Sequence, residues 1–358
     1  MKRYPAYEFP EYVDWQPDPE VQRAWDARTR AEPTRAGLIG ALELPALLDL
    51  YRGLVAARLH DIQLKRWVKQ GVISKAWLGA GEEAVTIGAC AALGAEDVVS
   101  PMIRNAGALL ARGVDPVACF AAYLGTTDTL TGGRDMHIGD PARGVIPPIS
   151  HVGDVVPVMA GAALAFKLRK EPRVALVWTG DGSTATGAVH EGLRVAAAAQ
   201  VPLICVVQDN QVALGTREGF TGDFMAYGAA YGCPVLEVDG NHVLDCYAAT
   251  AYAAARCRAG AGPVILVART FRMGGHATHD EREARQLFDA QTYAAWGKRD
   301  PIGTYEVWLQ TQRGVAVETL AAIEAEVEAE LEAAAATALA RREASAPDPA
   351  TVADGVYG

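Results

Sequence analysis

The sequence predicts an α/β fold, a doubly wound parallel sheet with helices on both faces and helical N- and C-terminal extensions. Three observations support this prediction. Short apolar segments of strand length alternate with segments whose apolar residues recur at helical spacing. The segments between the strands are long enough to be crossover helices, as parallel strands require. Glycine-containing turns follow the strands, and ligands of such folds bind at the carboxyl ends of strands.

The N-terminal part of the chain predicts an arm followed by a long helix. Residues 1–42 are rich in proline, tryptophan and charge and show little periodicity, so we interpret them as an arm that lies on another surface. Apolar residues at helical spacing predict a helix from Leu44 to Gln70, with Gly71 as its C-terminal cap. Three further helices and one short strand are expected, at Glu82–Leu93, Val98–Val99 (the strand), Ala106–Leu110 and Pro116–Leu124.

The centre of the chain is the most regular part. A long Gly/Thr/Asp-rich loop, residues 125–150, comes first, and loops of this length are usually functional or mobile. Strands and helices then alternate, with helices over Val155–Leu168, Ala188–Ala199 and Leu244–Arg258 and strands over Val174–Trp178, Leu203–Val207, Val235–Val238 and Val264–Ala268. An Ala/Glu-rich helix is expected over Val317–Arg342. We therefore divide the chain into an arm (1–42), an α/β domain (43–305) and a C-terminal helix and tail (306–358).

Composition excludes several functional classes. The chain has 33 Lys and Arg against 43 Asp and Glu, a net charge of −10, which disfavours binding to the phosphate backbone of nucleic acids. The longest apolar run, residues 155–166, is shorter than the about 20 residues that a membrane span needs, and no secretory signal is readable. The six cysteines are scattered without zinc-ligand spacing. We expect a cytoplasmic protein that binds neither nucleic acid nor membrane.

The strongest chemical signal is Gly180-Asp181-Gly182 at the end of an apolar strand, with Asn210 at the end of the next strand. A carboxylate and an amide at neighbouring strand ends suit a hard divalent cation that bridges phosphates. The helix that begins near Gly187 adds free main-chain amides, which favour a diphosphate. The pattern predicts a site for Mg²⁺ and a diphosphate.

Other interpretations of this turn agree less well with the sequence. An isolated Gly-Asp-Gly is common in ordinary turns. The glycines at 180, 182 and 187 do not have the GxGxxG spacing of dinucleotide-binding proteins, and an aspartate inside the turn would repel a pyrophosphate unless a metal intervened. Neither a P-loop ending nor a GxSxG nucleophile elbow is present in the sequence.

Gly180-Asp181-Gly182 with Asn210 is similar to the thiamine-diphosphate signature, and the surrounding chain resembles the alpha subunit of a decarboxylating 2-oxo acid dehydrogenase of the pyruvate and branched-chain type. The resemblance runs from about Leu47 to Pro301. It includes Ile103-Arg104-Asn105-Ala106-Gly107, Gly133-Arg134-Asp135-Met136-His137, Ser150-His151-Val152, Val238-Asp239-Gly240-Asn241, Thr270-Phe271-Arg272 with His276, and Asp300-Pro301-Ile302. The ending Asp354-Gly355-Val356-Tyr357 is similar to branched-chain versions of the family.

The resemblance implies roles for individual residues. The family's metal ligands fall on Asp181, Asn210 and the carbonyl of Val212. Its diphosphate contacts fall on Arg104 and His276, and the backbone positions that face the aminopyrimidine fall on Ser150 and Val152. Gly180 and Gly182 belong to the cofactor motif, and His276 is also the candidate for contact with substrate. His137, His151 and His279 are weaker candidates, and His60, His190 and His242 are taken as structural.

The resemblance also implies the reaction and the partners. It implies oxidative decarboxylation of a branched-chain or pyruvate-like 2-oxo acid with thiamine diphosphate and Mg²⁺, and transfer of the acyl group to a lipoyl-bearing acyltransferase. A beta subunit would complete an alpha-two beta-two assembly. Two alternatives stay open, an acetoin dehydrogenase alpha subunit and a non-catalytic assembly or regulatory subunit. The second is motivated by four departures from the family pattern. Ile103 stands where the family usually has an aromatic residue, which removes a hydroxyl donor, and Asp209 replaces the first of two paired asparagines. Val212 replaces an aromatic residue, and Thr186 replaces an acidic or amide residue.

Overall fold

The computed structural model describes residues 1–215, 223–351 and 353–354. The part of the ending that follows Asp354 lies outside these ranges. The helices are α1 Pro10–Val13, α2 Pro19–Arg28, α3 Pro33–Gly40, α4 Leu44–Lys69, α5 Glu83–Ala91, α6 Gly107–Ala111, α7 Pro116–Leu124, α8 Val155–Arg169, α9 Gly187–Ala199, α10 Tyr227–Tyr231, α11 Val243–Arg258, α12 Glu281–Ala284, α13 Ala290–Gly297, α14 Pro301–Arg313 and α15 Val317–Arg341.

In the described part of the chain, five parallel strands form one sheet in the order β1-β2-β3-β5-β4. The strands are β1 Val98–Ser100, β2 Ala175–Gly180, β3 Leu203–Asp209, β4 Val235–Asp239 and β5 Val264–Arg269. Helix α9 connects β2 to β3, and α11 connects β4 to β5. Because β5 lies between β3 and β4, the carboxyl ends of β2, β3 and β5 are neighbours along one edge of the sheet.

The sheet is covered on both faces, which confirms the predicted doubly wound architecture. Alternate residues of a strand point to opposite faces. In β2, Leu176 and Trp178 belong to a large core that includes side chains of α4, α5, α11, α14 and α15. Ala175 and Val177 belong to a second core, formed with α8 and α9. Buried apolar residues on both faces explain why these strands appear in the sequence as continuous apolar runs.

Most of the predicted central elements are present, with small shifts of their ends. Helix α4 ends at Lys69, and Gly71 adopts the left-handed backbone (φ 72°) expected of a residue that closes a helix. Strands β2 and β3 extend further toward their carboxyl ends than predicted, because Thr179 pairs with Val207 and Gly180 pairs with Gln208. None of the described helices combines the length and hydropathy that a membrane span requires.

The N-terminal arm contains three short helices, α1 to α3, which agrees with the predicted helical extension, although the sequence did not locate them. It packs on the same chain. Trp25 of α2 stacks on His242, with ring centroids 3.6 Å apart, and His242 accepts a hydrogen bond from Asp245 N at the start of α11. Phe9 and Tyr12 form a small buried cluster with Phe271 and Met273, the residues that follow β5. The arm therefore reaches the segment next to the candidate site.

Candidate active site

Four polar side chains that follow different strands lie at the carboxyl edge of the sheet. Arg104 lies in the 3₁₀ turn after β1, Asp181 begins the turn after β2, Asn210 follows β3, and Arg272 follows β5. All four are buried, with exposed fractions of 8%, 8%, 4% and 3%. Ligands of doubly wound folds bind at this edge. The sequence predicted that Asp181 and Asn210 would meet here but did not single out Arg272.

The turn after β2 holds Asp181 by local hydrogen bonds. Gly182 N donates to Asp181 Oδ1 at 2.7 Å, and Thr184 Oγ1 donates to the main-chain carbonyl of Asp181 at 2.5 Å. Gly182 lies directly against the loop after β3, since a Cβ at this position would lie 2.8 Å from the Cβ of Ala213. Gly182 is therefore required by close approach, whereas Gly180 has ordinary space around it.

The pKa of Asp181 is raised to about 6, mainly by burial and also by the negative charges of Asp209 and Glu82. The Gly182 amide and the positive charge of Arg272 act in the opposite direction. A bound cation reduces the electrostatic repulsion between carboxylates that lie near one another at a strand end. This electrostatic state fits a metal site better than it fits an ordinary turn.

The loop after β3 brings an amide and a main-chain carbonyl to the same edge. Asn210 donates through Nδ2 to Glu82 Oε1 at 2.9 Å, and its Oδ1 accepts a weak hydrogen bond from Val212 N at 3.4 Å. Between them, Gln211 has a left-handed backbone with φ 68°. For a non-glycine residue this conformation costs on the order of 1–3 kcal/mol, and such residues cluster at functional sites.

Two arginines supply positive charge beside these oxygen atoms. Arg104 donates to the carbonyls of Leu78 (3.1 Å) and His276 (3.3 Å), and Arg272 donates to the carbonyls of Val212 (3.4 Å) and Ala213 (3.3 Å). Burial and the charge of Arg104 lower the pKa of Arg272 to about 10. Two buried guanidinium groups that repel each other favour an anion between or beside them, and diphosphate oxygens match their donor geometry.

His276 lies in the loop that follows Arg272. Its main-chain N donates to Asp280 Oδ2 at 3.2 Å, and Ala277 N donates to Asp280 Oδ1 at 2.8 Å, so Asp280 fixes the loop. Burial and the charges of Arg104 and Arg272 lower the pKa of His276 to about 4. The imidazole is therefore neutral at pH 7 and has one donor and one acceptor nitrogen.

Ser150 and Val152 lie in an exposed loop that reaches the turn after β2. A Cβ at Gly153 would lie 2.3 Å from Thr186 Oγ1, so the loop contacts the Asp181–Thr186 turn directly. Val152 is 56% exposed, although it is apolar. His137 Nδ1 lies 2.6 Å from Asp135 Oδ1, and its Nε2 lies 3.5 Å from Ser150 Oγ. This side of the site is open.

Two further residues of the site were not singled out by the sequence. Arg272 was part of the resemblance, but its position beside Arg104 depends on the strand order. Glu82 is 1% exposed and accepts hydrogen bonds from Asn210 and Gln208, and its place within Gly-Glu-Glu-Ala gave no recognisable signal. Asp209, one of the departures from the family pattern, pairs with Arg269 on the adjacent strand.

The oxygen atoms present fit a hard divalent cation. In the described ranges, no group of three His, Cys, Asp or Glu side chains is arranged to hold a metal ion. The expected ligand set is of another kind, with one carboxylate (Asp181), one amide (Asn210) and one main-chain carbonyl (Val212). Magnesium commonly takes few protein ligands of this type and completes its shell with phosphate oxygens and water.

Comparison with known proteins places the chain in a family. Residues 51–346 match the family described as dehydrogenase E1 component. The pyruvate dehydrogenase E1 component subunit alpha of Acholeplasma laidlawii is 33% identical over 284 residues, which are 78% of this chain and 80% of that protein.

Two further relatives carry branched-chain names. The 3-methyl-2-oxobutanoate dehydrogenase subunit alpha of Mycobacterium tuberculosis (strain CDC 1551 / Oshkosh) is 34% identical over 266 residues, covering 74% of this chain and 70% of that protein. The human mitochondrial 2-oxoisovalerate dehydrogenase subunit alpha is 33% identical over 272 residues, covering 74% of this chain and 61% of that protein. This chain therefore belongs to the dehydrogenase E1 component family.

Proposed function

We propose that this chain is the alpha subunit of a thiamine-diphosphate-dependent 2-oxo acid dehydrogenase that is active only with a beta subunit. The relatives are named as alpha subunits of pyruvate and branched-chain 2-oxo acid dehydrogenases. The observation that carries the proposal is the meeting of Asp181, Asn210, Arg104 and Arg272 at one sheet edge. Oxygen ligands and buried arginines side by side are what a metal-bound diphosphate needs.

The family implies thiamine diphosphate, and we propose Mg²⁺ as its metal. Asp181, Asn210 and the carbonyl of Val212 would hold the metal, and Arg104, Arg272 and His276 would contact the diphosphate. When bound, thiamine diphosphate supplies a nucleophilic carbon and an electron sink for decarboxylation of a 2-oxo acid. Burial, together with repulsion from like charges, raises the pKa of Asp181 and lowers the pKa of Arg272. These shifts support the assignment, because a bound cation and a bound anion would reduce the two repulsions.

The residues of this chain orient the reactants and hold a proton. Arg104 donates to the main-chain carbonyl of His276, so the arginine also fixes the loop that carries the imidazole. The neutral His276 can donate its single ring N–H to a phosphate oxygen or to the substrate. Gly182 lets the turn after β2 approach the loop after β3, which keeps Asp181 near Asn210.

The exposed side of the site is suited to contact with a second polypeptide chain. Ile149, Val152 and Leu214 are apolar side chains near the site with exposed fractions of 39%, 56% and 62%. Large exposed apolar patches often mark protein–protein interaction sites, and these three side chains support such a surface here. We propose that a beta subunit covers this side in an alpha-two beta-two assembly, with Ser150 and Val152 facing the aminopyrimidine, and that a lipoyl-bearing acyltransferase receives the acyl group.

Native mass spectrometry of the chain with its co-purifying partners, in the presence of Mg²⁺ and thiamine diphosphate, tests the proposal. A heterotetramer with two bound cofactors is the expected result. An assembly that stays free of cofactor, or a chain that stays monomeric, would contradict it. Dye reduction with branched-chain 2-oxo acids, pyruvate and acetoin then identifies the substrate, and reduction by acetoin alone would exclude a 2-oxo acid dehydrogenase.

A further inference from the structure

A chain of buried side-chain amides connects the turn after β1 to Asn210. Asn105 Oδ1 accepts from Met102 N at 3.3 Å, and Asn105 Nδ2 donates to Gln208 Oε1 at 3.0 Å. Gln208 Nε2 then donates to Glu82 Oε1 at 2.7 Å, and Asn210 Nδ2 donates to the same oxygen at 2.9 Å. Glu82, Asn105, Gln208 and Asn210 have exposed fractions of 1%, 1%, 0% and 4%.

The direction of every hydrogen bond in this series of amides is fixed by the groups at its two ends. At one end, the main-chain N–H of Met102 can only donate, so the oxygen of Asn105 must face it and the Nδ2 of Asn105 must face Gln208. At the other end, Glu82 Oε1 is an acceptor, so Gln208 and Asn210 must both turn their NH₂ groups toward it. An amide whose nitrogen is fixed has its oxygen fixed on the opposite side.

We propose that Glu82 is a positioning residue that fixes the amide of Asn210 with Oδ1 turned toward the metal. The inference rests on the proposed function, in which Asn210 Oδ1 is a metal ligand. Without Glu82, only the long hydrogen bond from Val212 N (3.4 Å) would hold Oδ1 in this orientation, so the Asn210 amide would rotate more readily and present its NH₂ group, which cannot bind a cation. The described residues give Oδ1 only the long hydrogen bond from Val212 N, so the oxygen keeps a lone pair for a metal.

The second oxygen of Glu82 connects the same residue to the diphosphate side. Glu82 Oε2 is buried, has no hydrogen-bond partner in the described part of the chain, and lies 3.6 Å from Arg104 Nη1. A carboxylate at 1% exposure with one oxygen left without a hydrogen bond is unfavourable for folding alone. A role at the site explains why the position carries a glutamate.

The test measures binding of Mn²⁺, used as a paramagnetic probe for Mg²⁺, by electron paramagnetic resonance with thiamine diphosphate present. The full chain is used in the assembly in which it purifies, and a thermal melt checks each variant. Glu82→Met removes the acceptor at similar size, and we expect it to weaken Mn²⁺ binding about 10- to 100-fold, as the loss of a group that orients a ligand does. Activity is not needed for this measurement.

Two matched variants separate orientation from other effects. Glu82→Gln keeps an oxygen that accepts from both amides, while Met102 N still fixes the far end, so it should retain most of the Mn²⁺ affinity. Thr86→Val removes the hydroxyl that accepts from Asn105 Nδ2 at 2.6 Å, a buried hydrogen bond of the same network. Its Mn²⁺ affinity should equal that of the wild type.

Each result decides the matter. Wild-type Mn²⁺ affinity in Glu82→Met would overturn the proposal. An equal loss of Mn²⁺ affinity in Glu82→Gln would also overturn it, because the charge of Glu82 would then matter rather than the orientation of the amide. An equal loss in Thr86→Val would overturn it as well, because it would show a general loosening of the network. If Glu82→Met does not fold, Glu82→Ala replaces it. In Glu82→Ala, a water molecule in the place of the carboxylate can both donate and accept hydrogen bonds, so we expect a smaller loss of Mn²⁺ affinity than in Glu82→Met. No loss of affinity would refute the inference. Failure of the wild type to bind Mn²⁺ would instead refute the proposed function.

Discussion

Replacing Arg272 by methionine should have opposite effects on stability and on cofactor binding. The contacts that the described residues give its guanidinium are to main-chain carbonyls, those of Val212, Ala213 and Gly274. Burial and the neighbouring Arg104 lower the pKa of Arg272 to about 10. A pKa lowered this far corresponds to a free-energy cost of about 3 kcal/mol for the charged form of the side chain in the folded protein. Because the folded chain binds this proton more weakly than the unfolded chain does, the cost to the stability of the folded chain is fully present at every pH below 10.

The magnitudes follow from these contacts. Arg272→Met removes the cost of about 3 kcal/mol. It also removes three hydrogen bonds to carbonyls that are long (3.3–3.4 Å) and therefore at the weak end of the range, about 0.5 kcal/mol each and about 1–2 kcal/mol in total. The cofactor-free chain should therefore become more stable by about 1–2 kcal/mol. Loss of one charged hydrogen bond to a phosphate oxygen, about 1.5–3 kcal/mol, should weaken thiamine diphosphate binding about 10- to 150-fold. Urea unfolding and calorimetric titration at saturating Mg²⁺ measure the two effects.

Arg112 provides a matched control because it also donates to main-chain carbonyls, at 2.8–3.2 Å, but lies away from the site. Arg112→Met should destabilise the chain by about 1–3 kcal/mol and leave cofactor affinity unchanged. If Arg272→Met destabilised the chain as Arg112→Met does and bound the cofactor with wild-type affinity, Arg272 would be a structural residue and not an anion ligand.

Three further predictions concern single residues. Asp181→Ala should leave the chain folded but abolish cofactor-dependent activity, and activity retained at saturating Mg²⁺ would exclude the metal-ligand role. In the cofactor-free chain, NMR should give His276 a pKa of about 4, and stability should be lost as pH falls from about 6.5 toward 4, because the unfolded chain takes up the proton first. An ordinary histidine pKa would contradict this. Phe9→Ala should cost about 3–5 kcal/mol and speed proteolysis of the His276 loop, and an unchanged melting temperature would show that the arm does not support this loop.

Elements with strong local patterns could be located from the sequence, whereas the arm was predicted as a helical extension without the positions of its helices, which are stabilised by distant contacts. The buried strands and helix α4 have continuous or periodic apolar residues, so their positions follow from the chain itself. The arm helices α1 to α3 are short and have little periodicity. Their buried residues, such as Tyr12 and Trp25, pack against segments more than 200 residues away in sequence. Such contacts leave no periodic signal in the arm.

The same distinction applies to the site. Asp181 and Asn210 follow strands that are consecutive in the chain and adjacent in the sheet, so their spacing predicted that they would meet. Arg272 follows β5, which lies beside β3 although β4 comes between them in sequence. Glu82 comes just before α5 and reaches the end of β3 only in the folded chain. Both positions depend on the strand order, which the apolar pattern does not determine.

The structural surroundings of the four departures from the family pattern show how three of them fit the fold. Asp209, which replaces an asparagine, pairs with Arg269, so its charge is matched within the sheet. Val212 contributes its main-chain carbonyl to the expected site, and this group does not depend on the side chain. Thr186 donates through Oγ1 to the carbonyl of Ser183 at 2.8 Å and closes the turn before α9. Since three of the four departures fit the fold without removing a candidate ligand, they give little support to a non-catalytic subunit, and Ile103 alone leaves a hydroxyl donor missing.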